Sequence, residues 1–251
     1  AVGTAATFSI DLGVERIVDT LFLGCIFNAA LDATWTITGG LAGYNDITVK
    51  PLSALCVPDR GARLRTMNHA LWTGAEHMVR YLRVAVAQPA GASPLAIGAL
   101  VVGNAFVPTW NKEWGSGRGV KDSATVTRLP SGGVAVAHGA RFGTYAWTLG
   151  DLSDAEADML YELQLGVGES RPLLVVEDPA ATEGLRNRIH YGGLTSLRAF
   201  DRRNPAQTSW QLSIEDWAVE PSQVAQPTTI PALTLGGVPL TLGGDILTLG
   251  V

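Results

Sequence analysis

Apolar and polar residues alternate with a period of two along most of this chain, and this pattern predicts β-strands. In the first part of the sequence the runs are 8–12, 17–23, 33–38, 81–86 and 95–102. In the middle part they are 125–129, 134–137, 141–149, 173–177, 189–200 and 209–217. Two stretches, 44–75 and 110–123, lack the alternation, and we expect them to form loops.

One segment of the chain has helical periodicity. Ser153 and Glu156 are spaced as a capping box, in which the serine accepts from a helix amide and the glutamate returns to the cap. Apolar residues then follow near helical spacing at Met159, Leu160, Leu163 and Val167. Glycines at 166 and 168 are expected to end the helix.

The tetrapeptide Leu-Thr-Leu-Gly recurs every seven residues near the end of the sequence. Its leucines are Leu233, Leu235, Leu240, Leu242, Leu247 and Leu249. In an extended chain the two leucines of a unit lie on one face, and the Gly-Gly pairs allow a turn after a unit. Short strands alone cannot bury six leucines. We therefore expect an ordered assembly arm that docks outside its own body, rather than a flexible tail.

The pattern and the composition together predict a mainly β protein. The chain has 47% hydrophobic and 16% charged residues, with 29 glycines and 13 prolines, which indicates a globular core and many turns. We expect two β-sandwich-like domains, at 1–104 and 105–220, with one clear short helix in the second. A Pro-rich linker and an extended β-arm complete the chain at 221–251.

Charge and cysteine content narrow the classes of function. The net charge of −5 argues against a direct nucleic-acid role, which requires a basic face. No apolar run reaches the length of a membrane span, and the N-terminus lacks the pattern of a signal peptide. Cys25 and Cys56 have no metal-binding spacing and are expected to be two buried thiols of a protein made in a reducing cytoplasm.

The candidate chemistry of the sequence is sparse. The four histidines, at 69, 77, 138 and 190, form no metal-binding pattern, and no G-x-S-x-G elbow is present. The Gly-rich run 115–119 lacks the end of a phosphate loop and is expected to be a flexible loop. The acidic residues of 151–158 could hold a cation, but the preference of a helix N-terminus for negative charge is sufficient to explain them. We expect no catalytic residue, no metal and no cofactor.

The tryptophans are the remaining candidates for a binding site. Trp35 lies in an alternating strand and is expected in the core. Trp110 and Trp114 lie in a polar stretch, so we expect them to contact a partner protein or a glycan. Arg202-Arg203-Asn204 is expected to form a turn between strands, with a salt contact to another subunit as the alternative.

Two resemblances to known families add to this interpretation. The order FSIDLG, RIVDTLFL, Asn28, a strand with Trp35, then RYLRVAVA and LAIGALVVG resembles the discoidin-type, galactose-binding-like β-sandwich over about the first hundred residues. The order RFGTYAWTL, LSDAEADML, PLLVVEDP and WQLSIEDW in 141–217 resembles tail-tip and distal-tail proteins of bacteriophages. The leucine-glycine repeat resembles arms at the ends of phage structural proteins.

These resemblances imply a non-enzymatic structural component of a phage-type tail tip or baseplate. The implied partners are other tail or baseplate proteins and further copies of the chain in a homo-oligomeric ring. The implied location is the virion tail, after assembly in the cytoplasm of the bacterial host. The alternative is a carbohydrate-binding protein that recognises a surface glycan through its N-terminal domain. An accessory domain of a hydrolase is a third interpretation, weakened by the missing catalytic set.

Overall fold

The computed structural model describes residues 5–59, 67–130, 132–204 and 207–217, and four residue pairs within 234–246. The fold is mainly β, with 57% of residues in strands and 9% in helix, and its sheets are antiparallel. The predicted mainly β fold with one α-helix is therefore confirmed, including its sandwich-like character, and the division into two domains stays a prediction. The chain divides into two compact units, Ala1–Glu220 and Pro221–Val251.

A five-stranded antiparallel sheet is built from the first part of the chain. Its order is β3-β2-β4-β1-β5, so β3 and β5 form its two edges. The strands are β1 (Ala5–Phe27), β2 (Thr34–Gly40), β3 (Ile47–Ala54), β4 (Met67–Ala87) and β5 (Ala96–Gly103).

The two longest strands of this sheet differ from the sequence prediction. The expected separate runs 8–12 and 17–23 are parts of the continuous strand β1, which pairs with β4 over most of its length. Register shifts between Asp11 and Arg16, and again near Leu23, interrupt this pairing and allow the strand to bend. The expectation of loops across 44–75 is wrong for β3 and for the first part of β4, because strand pairing orders weakly patterned sequence.

The core of the first sheet contains aliphatic side chains around Trp35, which is 1% exposed, so the prediction that Trp35 lies in the core is confirmed. The cysteines are less buried than expected: Cys25 and Cys56 are both partly accessible free thiols. Cys25 also has a φ of 52°, in the left-handed region. This conformation accompanies the irregular pairing near the end of β1.

A second antiparallel sheet follows, with the order β10-β11-β13-β9-β6 and with β12 paired to β13. Between β6 and β9 the chain forms a separate hairpin of β7 and β8. The strands are β6 (Gly117–Asp122), β7 (Thr125–Arg128), β8 (Val134–Ala137), β9 (Arg141–Leu152), β10 (Leu173–Val176), β11 (Ile189–Leu194), β12 (Asp201–Asn204) and β13 (Gln207–Asp216).

Three local predictions fail in this second part. The stretch 110–123, expected to be a loop, includes β6, which pairs with β9 despite its glycines and charges. The run 189–200 is a strand only as far as Leu194. The segment with Arg202, expected to be a turn, is the strand β12. In each case pairing with a neighbouring strand decides the structure, which local pattern does not encode.

The predicted helix is confirmed as α1 (Asp154–Val167), and both hydrogen bonds of the capping box between Ser153 and Glu156 are present. The helix ends one residue beyond Gly166, and the amide of Gly168 donates to the carbonyl oxygen of Gln164 at 2.8 Å. A short 3-10 helix follows later, at Leu185–Arg188.

The two sheets have separate cores and also share a third apolar cluster. Tyr145, Trp147 and Trp210 lie in the core of the second sheet. Phe22 of β1 packs in the shared cluster with Ile189 of β11. Both sheets therefore belong to the compact unit Ala1–Glu220. In sequence, the two sheets lie on either side of the predicted division between residues 104 and 105. That this division is a domain boundary stays a prediction.

In the unit Pro221–Val251 the structure describes four two-residue strands, which form two antiparallel pairs. They are β14 (Thr234–Leu235), β15 (Val238–Pro239), β16 (Thr241–Leu242) and β17 (Asp245–Ile246). Leu235 pairs with Val238 and Leu242 with Asp245. In both pairs the two residues between the partners in sequence are Gly-Gly, as a two-residue hairpin connection favours.

Candidate functional site: the tryptophan loop and the charged network beneath it

The segment 104–116, which we call the tryptophan loop, connects β5 to β6. Trp110 is 64% exposed, and Trp114 is fully exposed. Val107, earlier in the same loop, is also exposed. Large apolar side chains held in solvent are candidates for contact with a partner. The structure thus places both predicted contact residues on the surface, in one loop.

Hydrogen bonds hold this loop at three points. The amide of Ala105 donates to Asp19 Oδ1 at 2.8 Å. The amide of Thr109 donates to Glu156 Oε1 at 2.7 Å. The amide of Glu113 donates to the carbonyl oxygen of Thr148 at 2.9 Å. Each anchor lies on a different element, so the backbone beside the tryptophans is fixed while their rings stay in solvent.

Lys112 connects the tryptophan loop to the interior. Its Nζ donates to the Tyr145 hydroxyl at 2.7 Å and to Glu177 Oε2 at 3.2 Å. It also lies 5.2 Å from the centre of the Tyr145 ring, which favours a cation. Burial alone lowers the pKa of Lys112, but these hydrogen bonds outweigh burial and raise it. Lys112 therefore stays charged and acts as a fourth anchor of the loop.

Beneath Lys112 lies a charged network around Glu177 and His190, which we call the Glu177 network. Glu177 accepts hydrogen bonds from Lys112 and Arg118 and lies 3.1 Å from His190 Nε2. Burial raises the pKa of Glu177, but the hydrogen bonds from Arg118, His190 and Lys112 lower it further than burial raises it. The carboxylate is thus ionised and paired, as a buried charge requires.

The imidazole of His190 lies between two carboxylates. Its Nδ1 is 3.4 Å from Asp216 Oδ2. His190 is only 4% exposed, and its ring stacks on the Tyr145 ring with 4.8 Å between the ring centres. A carboxylate only accepts hydrogen bonds, so a ring nitrogen of His190 that faces Glu177 or Asp216 pairs with it only as a donor. This arrangement links Glu177, the residue after β10, to β11 and β13, and Tyr145 of β9 stacks on the imidazole.

Sequence reasoning missed the Glu177 network. Its members lie far apart in the chain, and the pairing of β6, β9, β10, β11 and β13 in one sheet brings them together. The available indication was a polar residue, His190, between Ile189 and Tyr191 in a strand pattern. A buried polar side chain within an apolar strand requires a partner.

Two carboxylates of the acidic stretch 151–158, those of Asp154 and Glu156, make contacts within the chain. Glu156 accepts from the amide and hydroxyl of Ser153, at 2.9 and 2.7 Å. Arg202 Nη2 donates to Asp154 Oδ1 at 3.0 Å, within the same chain. Among the described residues no group of three or more His, Cys, Asp or Glu is arranged to hold a metal ion.

The remaining predicted sites divide between described and undescribed residues. Arg118, within the Gly-rich run 115–119, lies in β6 and pairs with Glu177, so the expectation of a flexible loop there is wrong. Leu235 and Leu242 of the arm lie in two-residue strands. The other arm leucines, Leu233, Leu240, Leu247 and Leu249, lie outside the described residues.

Comparisons with family models, curated proteins and solved structures found no match for this chain. No helix in the described part of the chain is both long and apolar enough to cross a membrane.

Proposed function

We propose that this protein is a structural component of a phage-type tail tip or baseplate, which assembles with copies of itself and with other tail proteins. The observation that carries the proposal is the separate C-terminal unit, Pro221–Val251, with its repeated leucines and two-residue strands. Strands this short are not stable alone and gain from pairing with a longer partner. The arm therefore supplies affinity by strand addition and register by its leucines.

The exposed apolar surface of the body supports the same function. The β7–β8 hairpin pairs with neither large sheet and exposes Val126, Val134 and Val136. Val126 lies directly opposite Val136, and Val134 lies two residues away on the same face. Apolar side chains clustered on one exposed face of a hairpin mark a contact surface between proteins. The tryptophan loop supplies a further surface of this kind.

The test compares the mass in solution of the full chain with that of the leucine variant Leu235→Ser, Leu242→Ser. The matched control is Thr234→Ser, Thr241→Ser, since alternating side chains place these threonines on the opposite face of each extended strand. We expect the full chain and the control to form an oligomer and the leucine variant to be mostly monomeric. Light scattering gives the mass, and circular dichroism checks that all three chains are folded.

An oligomer of unchanged mass in the leucine variant contradicts assembly through the arm. A full chain that stays monomeric up to high concentration contradicts self-assembly altogether. Electron microscopy of the assembled full chain then shows whether the oligomer is a ring, as cyclic symmetry with heterologous contacts requires.

A carbohydrate-binding function is the second candidate, and the exposed pair Trp110 and Trp114 favours it. Exposed aromatic rings on a fixed backbone serve as stacking surfaces for sugar rings. A glycan array with the full chain and the variant Trp110→Ala, Trp114→Ala separates the two functions. Glycan binding that is lost in the variant supports recognition, and an array with no bound glycan contradicts it.

A further inference from the structure

The four strands at the ends of the two sheet orders, β3, β5, β6 and β10, differ in how they are protected against pairing. β3 has Pro51, β6 has Arg118 and Lys121, and β10 is only four residues long. Proline, charge and short length are the usual protections of an edge strand. β5, with the sequence AIGALVVG, has none of them over eight residues. Of these four strands β5 is therefore the one open to strand addition.

The outer edge of β5 has no backbone partner within the described part of the chain. β5 pairs only with β1, from Thr20↔Gly103 to Phe27↔Ala96. The strand therefore presents a row of amide and carbonyl groups on its other side. An added strand would satisfy these groups with main-chain hydrogen bonds, independently of side chains.

A small apolar groove lies beside this edge. Its volume is about 150 Å³, and its lining residues are Phe8, Leu23, Ile97, Gly98, Ala99 and Leu100. Leu23 is fully buried at its floor, while Leu100 is 41% exposed at its rim. Apolar cavities of about this size hold a benzene-sized group. The groove therefore accepts one branched aliphatic side chain.

The repeat segment 233–251 has the chemistry that this edge and groove accept. It contains six leucines and one charged residue, Asp245. In extended conformation each unit would place two leucines on one face, one to enter the groove and the other to cover the rim at Leu100. Neither β5 nor a Leu-Thr-Leu-Gly unit contains a charged residue, so their pairing buries no charge without a partner.

We propose that β5 receives one Leu-Thr-Leu-Gly unit from residues 233–251 of a second copy of the chain, which pairs with its free edge and inserts a leucine into the groove. This inference rests on the proposed assembly function and adds the receiving surface to it. β5 of one copy is thus the receiving surface, and the arm of the next copy is the added segment, in a heterologous contact. Each copy has both a β5 edge and an arm, so the assembly can continue from copy to copy.

The test places a photo-activated cross-linking amino acid at position 100 of the full chain, in an equal mixture of isotope-labelled and unlabelled protein. The matched control carries the same amino acid at position 120, since Val120 is an exposed apolar residue of the edge strand β6. Mass spectrometry identifies the cross-linked peptides. We expect position 100 to capture peptides of 233–251 in mixed-isotope pairs, and position 120 to capture at least tenfold fewer.

If every cross-link to the arm joins peptides of the same isotope, the proposal is overturned, because the groove is then filled by the arm of its own chain. Cross-links to other segments overturn it as well. A second variant, Leu100→Lys, should lower the oligomer fraction at least tenfold at equal concentration, whereas Val120→Lys should leave it unchanged. If Leu100→Lys assembles normally while Leu235→Ser, Leu242→Ser does not, the arm acts in assembly but β5 is not its receptor.

Discussion

Glu156 joins the start of α1 to the tryptophan loop, and its removal should destabilise the protein in a pH-dependent way. The carboxylate accepts from the amides of Thr109 and Ser153 and from the Ser153 hydroxyl. These hydrogen bonds, the one from Thr109 first, lower the pKa of Glu156 from 4.5 to about 2. The ionised form is therefore stabilised in the folded state.

The magnitude follows from the same two values. The difference between 4.5 and about 2, at about 1.36 kcal/mol for each pH unit, sets an upper limit of about 3 kcal/mol. The carboxylate is only partly buried, so solvent screening reduces this to about 1–2 kcal/mol. A depressed carboxyl pKa contributes stability that is full above pH 4.5 and is lost as the pH falls through about 2.

Urea unfolding of Glu156→Gln at several pH values measures this contribution. We expect a loss of about 1–2 kcal/mol in the free energy of unfolding at pH 7, falling by more than half at pH 3. The control is Asp158→Asn, an exposed carboxylate of the same helix, which should change the free energy by less than about 0.5 kcal/mol. Equal losses at pH 7 and pH 3, or equal losses in the two variants, refute the reasoning.

Two further predictions concern titratable groups whose pKa is shifted by burial. Burial lowers the pKa of Lys50 from 10.5 to about 8, so between these two pH values the unfolded chain binds a proton that the folded chain does not. As the pH rises through this range, the free energy of unfolding of the wild type should therefore increase by about 1–3 kcal/mol relative to that of Lys50→Met. Urea unfolding across that range measures it, and a constant difference contradicts it. Burial raises the pKa of Cys56 to about 11. In the variant Cys25→Ala, the Cys56 thiol should react with a thiol reagent at pH 8 at least about tenfold more slowly in the folded protein than in the urea-unfolded protein. Equal rates in the two states contradict this.

Local sequence determined the elements that are specified by neighbouring residues. The period-two runs predict β2, β9 and β13, because alternating burial requires alternating side chains. The spacing of Ser153 and Glu156 predicts the start of α1, because capping hydrogen bonds span only three residues. The exposure of Trp110 and Trp114 also follows from local composition, since a polar loop offers no apolar layer in which to bury them.

Tertiary structure decided the features that depend on distant partners. β6 forms from a Gly-rich, charged stretch because β9 offers it a pairing edge, and β1 is continuous because β4 pairs on both sides of its irregularities. The Glu177 network and the open edge of β5 exist only once strand order is set. Strand pairing satisfies backbone groups regardless of sequence. Local pattern therefore specifies which face of a strand is buried, whereas the chain as a whole determines which strands are neighbours and which edge is left open.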